Sequence, residues 1–171
     1  MEKKYPDIYA VDENDTVVGI MPLQEVIKLR LNRRVARVYV FNESGKILIQ
    51  KRGARVMAPF KFDHSIGGYV DVGESYQDAA ARELLEELGI DPNIHHLKEV
   101  SAPYLWEGFF AALYKVIVPD TLNIDFDADE VDSVYWMTAA EVGELIASHP
   151  EDCGGGLVTS WTMFRDKLLT V

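Results

Sequence analysis

β-Branched residues alternate with other side chains along RVARVYVFNESGKILIQKRG, where Val35, Val38 and Val40 precede the turn NESG and Ile47 and Ile49 follow it. Successive side chains of a strand point to opposite faces, so this pattern predicts a hairpin. A second hairpin is expected in DIYAVDENDTVVGIMP, around the polar turn Asp12 to Asp15. In LQEVIKLRLNRR the apolar residues Leu23, Val26, Ile27 and Leu29 recur at helical spacing. Residues 1–32 therefore read as an N-terminal hairpin and helix extension, and residues 33–171 as the main domain. Further strands are expected at SIGGYV, HLKEVSAPYLW, GFFAALYKVIV and SVYWMT. Helices are expected at AAEVGELIAS and, after a flexible EDCGGG, at VTSWTMFRDKLL. Hairpins with interspersed helices predict an α+β fold or an α/β/α sandwich.

The segment RELLEELGI changes the picture from fold to chemistry. Ser75 with Asp78 makes a capping box, and Gly89 before Asp91-Pro92 makes a stop, which predicts a helix over Tyr76–Leu88. At about 100° per residue, Glu83, Glu86 and Glu87 share one patch, beside a core stripe of Ala81, Leu84, Leu85 and Leu88. Like charges at this spacing cost a few tenths of a kcal/mol each, a cost that a bound cation removes. Carboxylates without thiol or imidazole suit a hard ion such as Mg²⁺ or Mn²⁺. A solvated helix face is the plain alternative.

Composition narrows the partners. The formal net charge of −11 argues against a nucleic-acid polymer, whose backbone needs a basic surface. A small anionic substrate stays open, because a bound metal inverts the local sign. Cys153 is the only cysteine, which excludes an intrachain disulfide and fits a reducing cytoplasm. No apolar run approaches ~20 residues, and MEKKYPDIYAVDEND has no apolar stretch after its lysines, so neither a membrane span nor an export signal is expected.

The spacing Gly68, five residues, Glu74, seven residues, Arg82-Glu83-Leu84-Leu85-Glu86-Glu87-Leu88-Gly89-Ile90 resembles the signature of the Nudix hydrolases at every specified position. Chance would produce it in such a chain at odds on the order of one in a million or less. The resemblance implies the Nudix fold, a mixed β-sheet between helices, and cleavage of a diphosphate linked to another moiety, X. By position it makes Glu83, Glu86 and Glu87 the metal ligands, with the backbone carbonyl of Gly68. It places Glu74 near the metal and has Arg82 orient a carboxylate such as Glu74, where an ordinary surface ion pair is the alternative. Glu83 is the expected general base, with Glu130 as an alternative that could equally be a loop charge.

Outside the motif, Lys51, Arg52, Arg55 and Lys61 could contact phosphates. Tyr104, Trp106 and Phe110 could stack on a flat group or belong to the core. His64 reads as structural. The upstream pattern and the N-terminal entry also resemble the branch holding isopentenyl diphosphate isomerases, which work with a cysteine just before the motif glycine and with histidine ligands. Gly67 and Tyr69 stand at those places here, which disfavours an isomerase. The expected substrate is a small nucleoside diphosphate derivative. A nucleotide-sensing module without turnover is the other alternative, and family habit suggests a homodimer.

Overall fold

The computed structural model describes residues 7–170; residues 1–6, part of the expected extension and of the segment read for export signals, lie outside them. The predicted hairpins form. Strands β1 (Asp7–Val11) and β2 (Val17–Pro22) pair antiparallel and lead into the short helix α1 (Leu23–Lys28). Strands β3 (Asn32–Asn42) and β4 (Ile47–Arg52) meet across the NESG turn, where Gly45 takes a positive φ of 78°. Two short strands follow, β5 (Phe62–Asp63) and β6 (Ile66–Tyr69), and then helix α2 (Tyr76–Leu88). The long antiparallel pair β7 (Lys98–Trp106) and β8 (Phe109–Val118), strand β9 (Val131–Met137), and helices α3 (Ala139–Ser148) and α4 (Gly155–Thr170) complete the chain.

All nine strands join one mixed sheet, and β3 is its axis. Along one edge β3 runs parallel to β8, from Arg33 opposite Phe109 to Asn42 opposite Val118. Its other edge is shared in turn by β1 at Asn32–Arg33, β6 at Val35–Val38 and β4 at Phe41. Strands β6 and β4 therefore diverge, and Ser65 closes the fork. Its Oγ accepts from Val40 N–H at 2.7 Å and donates to the Leu48 carbonyl at 2.6 Å. Beyond the fork the sheet is open.

Each face of the sheet carries helices, giving the expected α/β/α layering. On one face Ala36, Val38 and Val40 of β3 pack with Ala80, Leu84 and Leu88 of α2. On the other, Tyr39 and Phe41 pack with Val142 of α3 and with Leu157 and Trp161 of α4. The period-2 alternation of β3 is thus used twice, once for each layer.

Helix α2 begins and ends as its caps dictate. Ser75 Oγ accepts from Asp78 N–H at 3.1 Å, the Asp78 side chain accepts in return from Ser75 N–H, and Gly89 closes the C-terminus at φ 63°. The core stripe, however, sits elsewhere on the helix than the periodicity implied. Ala79, Ala80, Leu84, Leu88 and Glu87 are buried, whereas Leu85 is 51% exposed. The helix is turned so that its acidic patch borders the interior, and Leu85 is rotated out as a result.

A second correction concerns EDCGGG. It is ordered rather than flexible: Pro150–Asp152 form a 3₁₀ turn, and Gly155 and Gly156 are already the first turn of α4. Its glycines serve close packing, since a Cβ on Gly154 would lie 2.9 Å from Asp63 Oδ2 and one on Gly155 2.9 Å from the Trp106 ring. The described part of the extension rests against the main domain. β1 joins β3, Arg34 Nε donates to Asp15 at 2.7 Å, and the Tyr76 hydroxyl donates to the same carboxylate at 2.9 Å.

Candidate active site

The open fork leads into a cavity of about 520 Å³ bordered by α2, β6, the loop before β5, Glu130 and the start of α4. Gly68, Arg82, Glu83, Glu86, Glu87, Glu130 and Arg52 all line it. Gly68 is required by contact, because any Cβ there would overlap the carboxylate and stem of Glu83. The backbone of β6 therefore lies directly against the acid.

Arg82 organises the acidic side. Its Nε and Nη2 grip both oxygens of Glu74 at 2.7 and 3.0 Å, Nη1 donates to Glu83 at 2.8 Å and to Glu86 at 3.2 Å, and Nη2 also donates to the Tyr69 carbonyl at 2.9 Å. Its links to three carboxylates and a β6 carbonyl make Arg82 a positioning group, beyond the surface ion pair that was the alternative. Glu74 is held below the usual carboxylate range, chiefly by the hydrogen bond from Arg82.

Glu87 is different. It is 6% exposed, and among the described residues its side chain makes no hydrogen bond or ion pair. Burial, and then the charges of Glu83 and Glu130, push its pKa well above the usual value. Burial likewise raises that of Glu83, against the pull of Arg82. Burial and crowding outweigh the pull of Arg82 on Glu83 and of Arg52 on Glu87, so these acids are short of positive charge. A hard divalent ion supplies it, so the donor set fits Mg²⁺ or Mn²⁺: Glu83, Glu86, Glu87 and the Gly68 carbonyl. Glu86, 59% exposed at its side chain, forms the solvent edge.

The other residues singled out from the sequence divide. Glu130 reaches the cavity because residues 119–130 wrap the end of α2, where Asp127 N–H donates to the Glu87 carbonyl at 3.0 Å and Gly53 N–H to the Glu130 carbonyl at 2.7 Å. Arg52 reaches it while anchored to Asp63 at 3.1 Å and to the Met57 carbonyl at 2.8 Å. Arg55, Lys61 and Tyr104 are not brought to the cavity wall. Arg55 is 80% exposed and pairs with Asp129 on the surface. Lys61 belongs to the edge that pairs with β4, its carbonyl accepting from Arg52 N–H. Tyr104 stands beside Arg37 but packs on Phe164, with ring centroids 4.9 Å apart. Of the aromatic residues, Trp106 lines the cavity, stacked on Phe109 at 5.8 Å, while Phe110 is core.

Periodicity missed Arg37, Asp63, Phe109 and Gly154–Gly156 as cavity residues. A usable signal existed for Arg37, a charge on an otherwise apolar face of a strand flanked by Tyr39 and Phe41. His64, which could be structural or a support behind the metal loop, borders the cavity and is held at both ring nitrogens. Its Nδ1–H donates to Asp63 at 2.7 Å, its Nε2 accepts from Ser160 at 2.7 Å, and Ser160 accepts from the Tyr39 hydroxyl at 2.9 Å. Burial opposes the charge of Asp63, but the hydrogen bond from His64 and the guanidiniums of Arg52 and Arg37 outweigh it and hold the carboxyl below its usual range.

Burial lowers the pKa of His64 from 6.5, against the pull of Asp63. The unfolded chain then takes up a proton that the native state refuses. The contribution of His64 is complete above about pH 6.5 and is lost as pH falls from there toward the lowered native value. Urea unfolding at pH 7.5 and 5.5 should show a smaller acid-induced loss in His64→Gln than in the wild type, on top of a loss of about 2–3 kcal/mol for the broken network. Equal acid sensitivity would contradict this account.

With the geometry in place, comparison with known proteins is decisive: the NUDIX domain model matches residues 31–152. The chain belongs to the Nudix family. It is 32% identical over 141 residues to an uncharacterized Nudix hydrolase of Nostoc sp., covering 80% of this chain and 82% of that one. It is 30% identical over 157 residues to isopentenyl-diphosphate Delta-isomerase 2 of Photorhabdus laumondii, with 82% of each covered. Its fold matches the crystal structure of DR0079 from Deinococcus radiodurans with a TM-score of 0.78 at 24% identity, over 90% of this chain and 95% of that one. As a Nudix hydrolase it is a pyrophosphohydrolase, and the cavity is where its acids gather.

Proposed function

We propose that the protein hydrolyses a phosphoanhydride bond in a nucleoside diphosphate linked to a moiety X, with Mg²⁺ or Mn²⁺ held by Glu83, Glu86, Glu87 and the Gly68 carbonyl. One observation carries this reading: Glu87 is a buried acid lining the cavity whose side chain makes no hydrogen bond or ion pair among the described residues, and burial with the charges of Glu83 and Glu130 outweighs the pull of Arg52 and raises its pKa. Bound there, a divalent ion neutralises the non-bridging phosphate oxygens and acidifies a water. Glu83 takes the proton of the attacking water, and Glu130 is the alternative base. Arg82 fixes Glu83 and Glu74 in place. Arg52 contacts the phosphates from the opposite wall, and Trp106 offers a flat face to X.

An isomerase reading has a relative in its favour, but Gly67 leaves no thiol where that chemistry needs one. A panel of nucleoside di- and triphosphates, sugar nucleotides, dinucleotides and isopentenyl diphosphate, assayed with Mg²⁺ or Mn²⁺, tests the proposal by release of phosphate or pyrophosphate. Nucleotide binding with no cleavage across the panel would replace it with the sensing module. Isomerised isopentenyl diphosphate would replace it with the isomerase.

A homodimer through the extension is supported by its surface. β2 is an edge strand, and Val17, Val18 and Ile20 are 42–56% exposed along it, with Ile27 of α1 exposed nearby. Sedimentation should give twice the mass of one chain at micromolar concentration, and a monomer there would remove the dimer. No helix among the described residues is long and apolar enough to cross a membrane. A lone cysteine, which can form no intrachain disulfide, suits a reducing cytoplasm; fractionation that recovers the protein elsewhere would overturn that assignment.

A further inference from the structure

The cavity has a second end, on the other face of the sheet from Glu83. Gly67 and Gly68 stand opposite Arg37 and Ala36 on β3, and their Cβ positions face Arg37 and Glu83 respectively. Residues of both ends line the one cavity, and a Cβ on Gly67 would rest on the Arg37 stem at 3.7 Å. At the far end Arg37 is only 9% exposed yet borders the cavity, and its Nη1 has no hydrogen-bond partner. Among the described residues no carboxylate forms an ion pair with it. Its guanidinium lies over Trp106, 5.0 Å from the ring centroid.

What faces Arg37 is the start of α4. Gly154 N–H is used by the Phe62 carbonyl, and the first helical bond runs from Val158 N–H to the Gly154 carbonyl. The intervening amides of Gly155, Gly156 and Leu157 are those a helix leaves without internal partners. Gly155 and Gly156 have no side chain to cover them, and a Cβ on Gly156 would overlap the Arg37 guanidinium. The nearest acid, Asp63, is already committed, with Oδ1 accepting from His64 and Oδ2 from Arg52. A buried cation thus stands against the positive end of a helix, an arrangement that is unfavourable until an anion joins it.

We propose that this end of the cavity binds a phosphate group carried by X, so that the substrate is a diphosphate whose X moiety bears its own separate phosphate. This rests on the hydrolase reading for the role of the acidic end. Arg37 supplies a fork to two phosphate oxygens, the first amides of α4 face a third, and Trp106 holds the fork flat from behind.

The test uses the full chain in chelator, so that it is independent of metal and turnover. Inorganic phosphate is titrated while the backbone amides of Gly155, Gly156 and Leu157 and the indole N–H of Trp106 are followed by NMR. Saturable shifts confined to these groups are expected, with the dissociation constant rising roughly 10- to 100-fold in Arg37→Gln. Arg37→Lys, which keeps the charge and loses the fork, serves if Arg37→Gln does not fold, and an intermediate rise is expected from it. Shifts that are absent there, that centre instead on residues 67–75, or that persist undiminished in both variants overturn the proposal. Phosphate binding at α4 with a silent substrate panel would sink the hydrolase reading alone, and a productive panel without such binding would sink this one alone.

Discussion

Glu87→Gln is expected to abolish hydrolysis and at the same time to raise the melting temperature of the metal-free protein. The two effects share one cause. Glu87 is desolvated, sits among the charges of Glu83 and Glu130, and among the described residues has only the pull of Arg52 to offset them, with no side-chain hydrogen bond or ion pair. A neutral amide of the same shape removes the repulsion but cannot hold a cation. Loss of a direct ligand should cost more than the roughly 10- to 100-fold typical of losing an outer partner of one. The gain in stability should be on the order of 1 kcal/mol, or about 2–4 °C in a domain of this size.

The pH dependence has a definite sign. A carboxyl whose native pKa is raised binds a proton more tightly in the folded state, so its contribution is present below the unfolded value of 4.5 and is lost as pH rises through the native one. The advantage of Glu87→Gln should therefore be small near pH 4.5 and grow toward pH 8. Scanning calorimetry in chelator at several pH values checks this. A variant less stable than the wild type at pH 8 would contradict it, as would undiminished hydrolysis.

Gly68→Ala should separate activity from stability in a second way. Its methyl group would occupy the position of the Glu83 carboxylate. The side chain, not the backbone, has to yield, because every atom the new methyl would meet belongs to the Glu83 side chain. Displacing a reacting group by about 1 Å costs on the order of 100-fold in rate, whereas the fold should lose no more than about 1–2 kcal/mol. Steady-state kinetics beside urea unfolding gives both numbers. Near-normal turnover would show that Glu83 need not sit against β6.

Much of this was legible before any coordinates. The capping box at Ser75 and the left-handed Gly89 are local signals, so the bounds of α2 could be read directly. The acids and Gly68 were legible because one segment carries them at fixed spacing. What periodicity could not supply was the rotation of α2, which depends on how Leu84 and Ala80 pack on β3 and left Leu85 outside. Nor could it show that residues 154–156 are glycines for the sake of Asp63, Trp106 and Arg37, because those contacts join residues more than 45 positions apart. Tyr104 shows the same limit: it shares a face of β7 with Trp106 in unbroken register, and alternation alone could not tell that Phe164 packs on the one while the other borders the cavity.

The central claim is that the acids of α2 and the carbonyl at Gly68 hold a divalent ion. The most direct measurement is a Mn²⁺ titration followed by electron paramagnetic resonance, with Mg²⁺ as competitor. The account predicts saturable binding that Mg²⁺ displaces and that Glu87→Gln removes. Among the described residues the one group of potential ligands whose atoms already lie within 4.8 Å of one another is His149, Glu151 and Asp152, all exposed on the surface. Binding that survives Glu87→Gln and disappears instead on replacing Glu151 and Asp152 would contradict the account, and so would no binding at all.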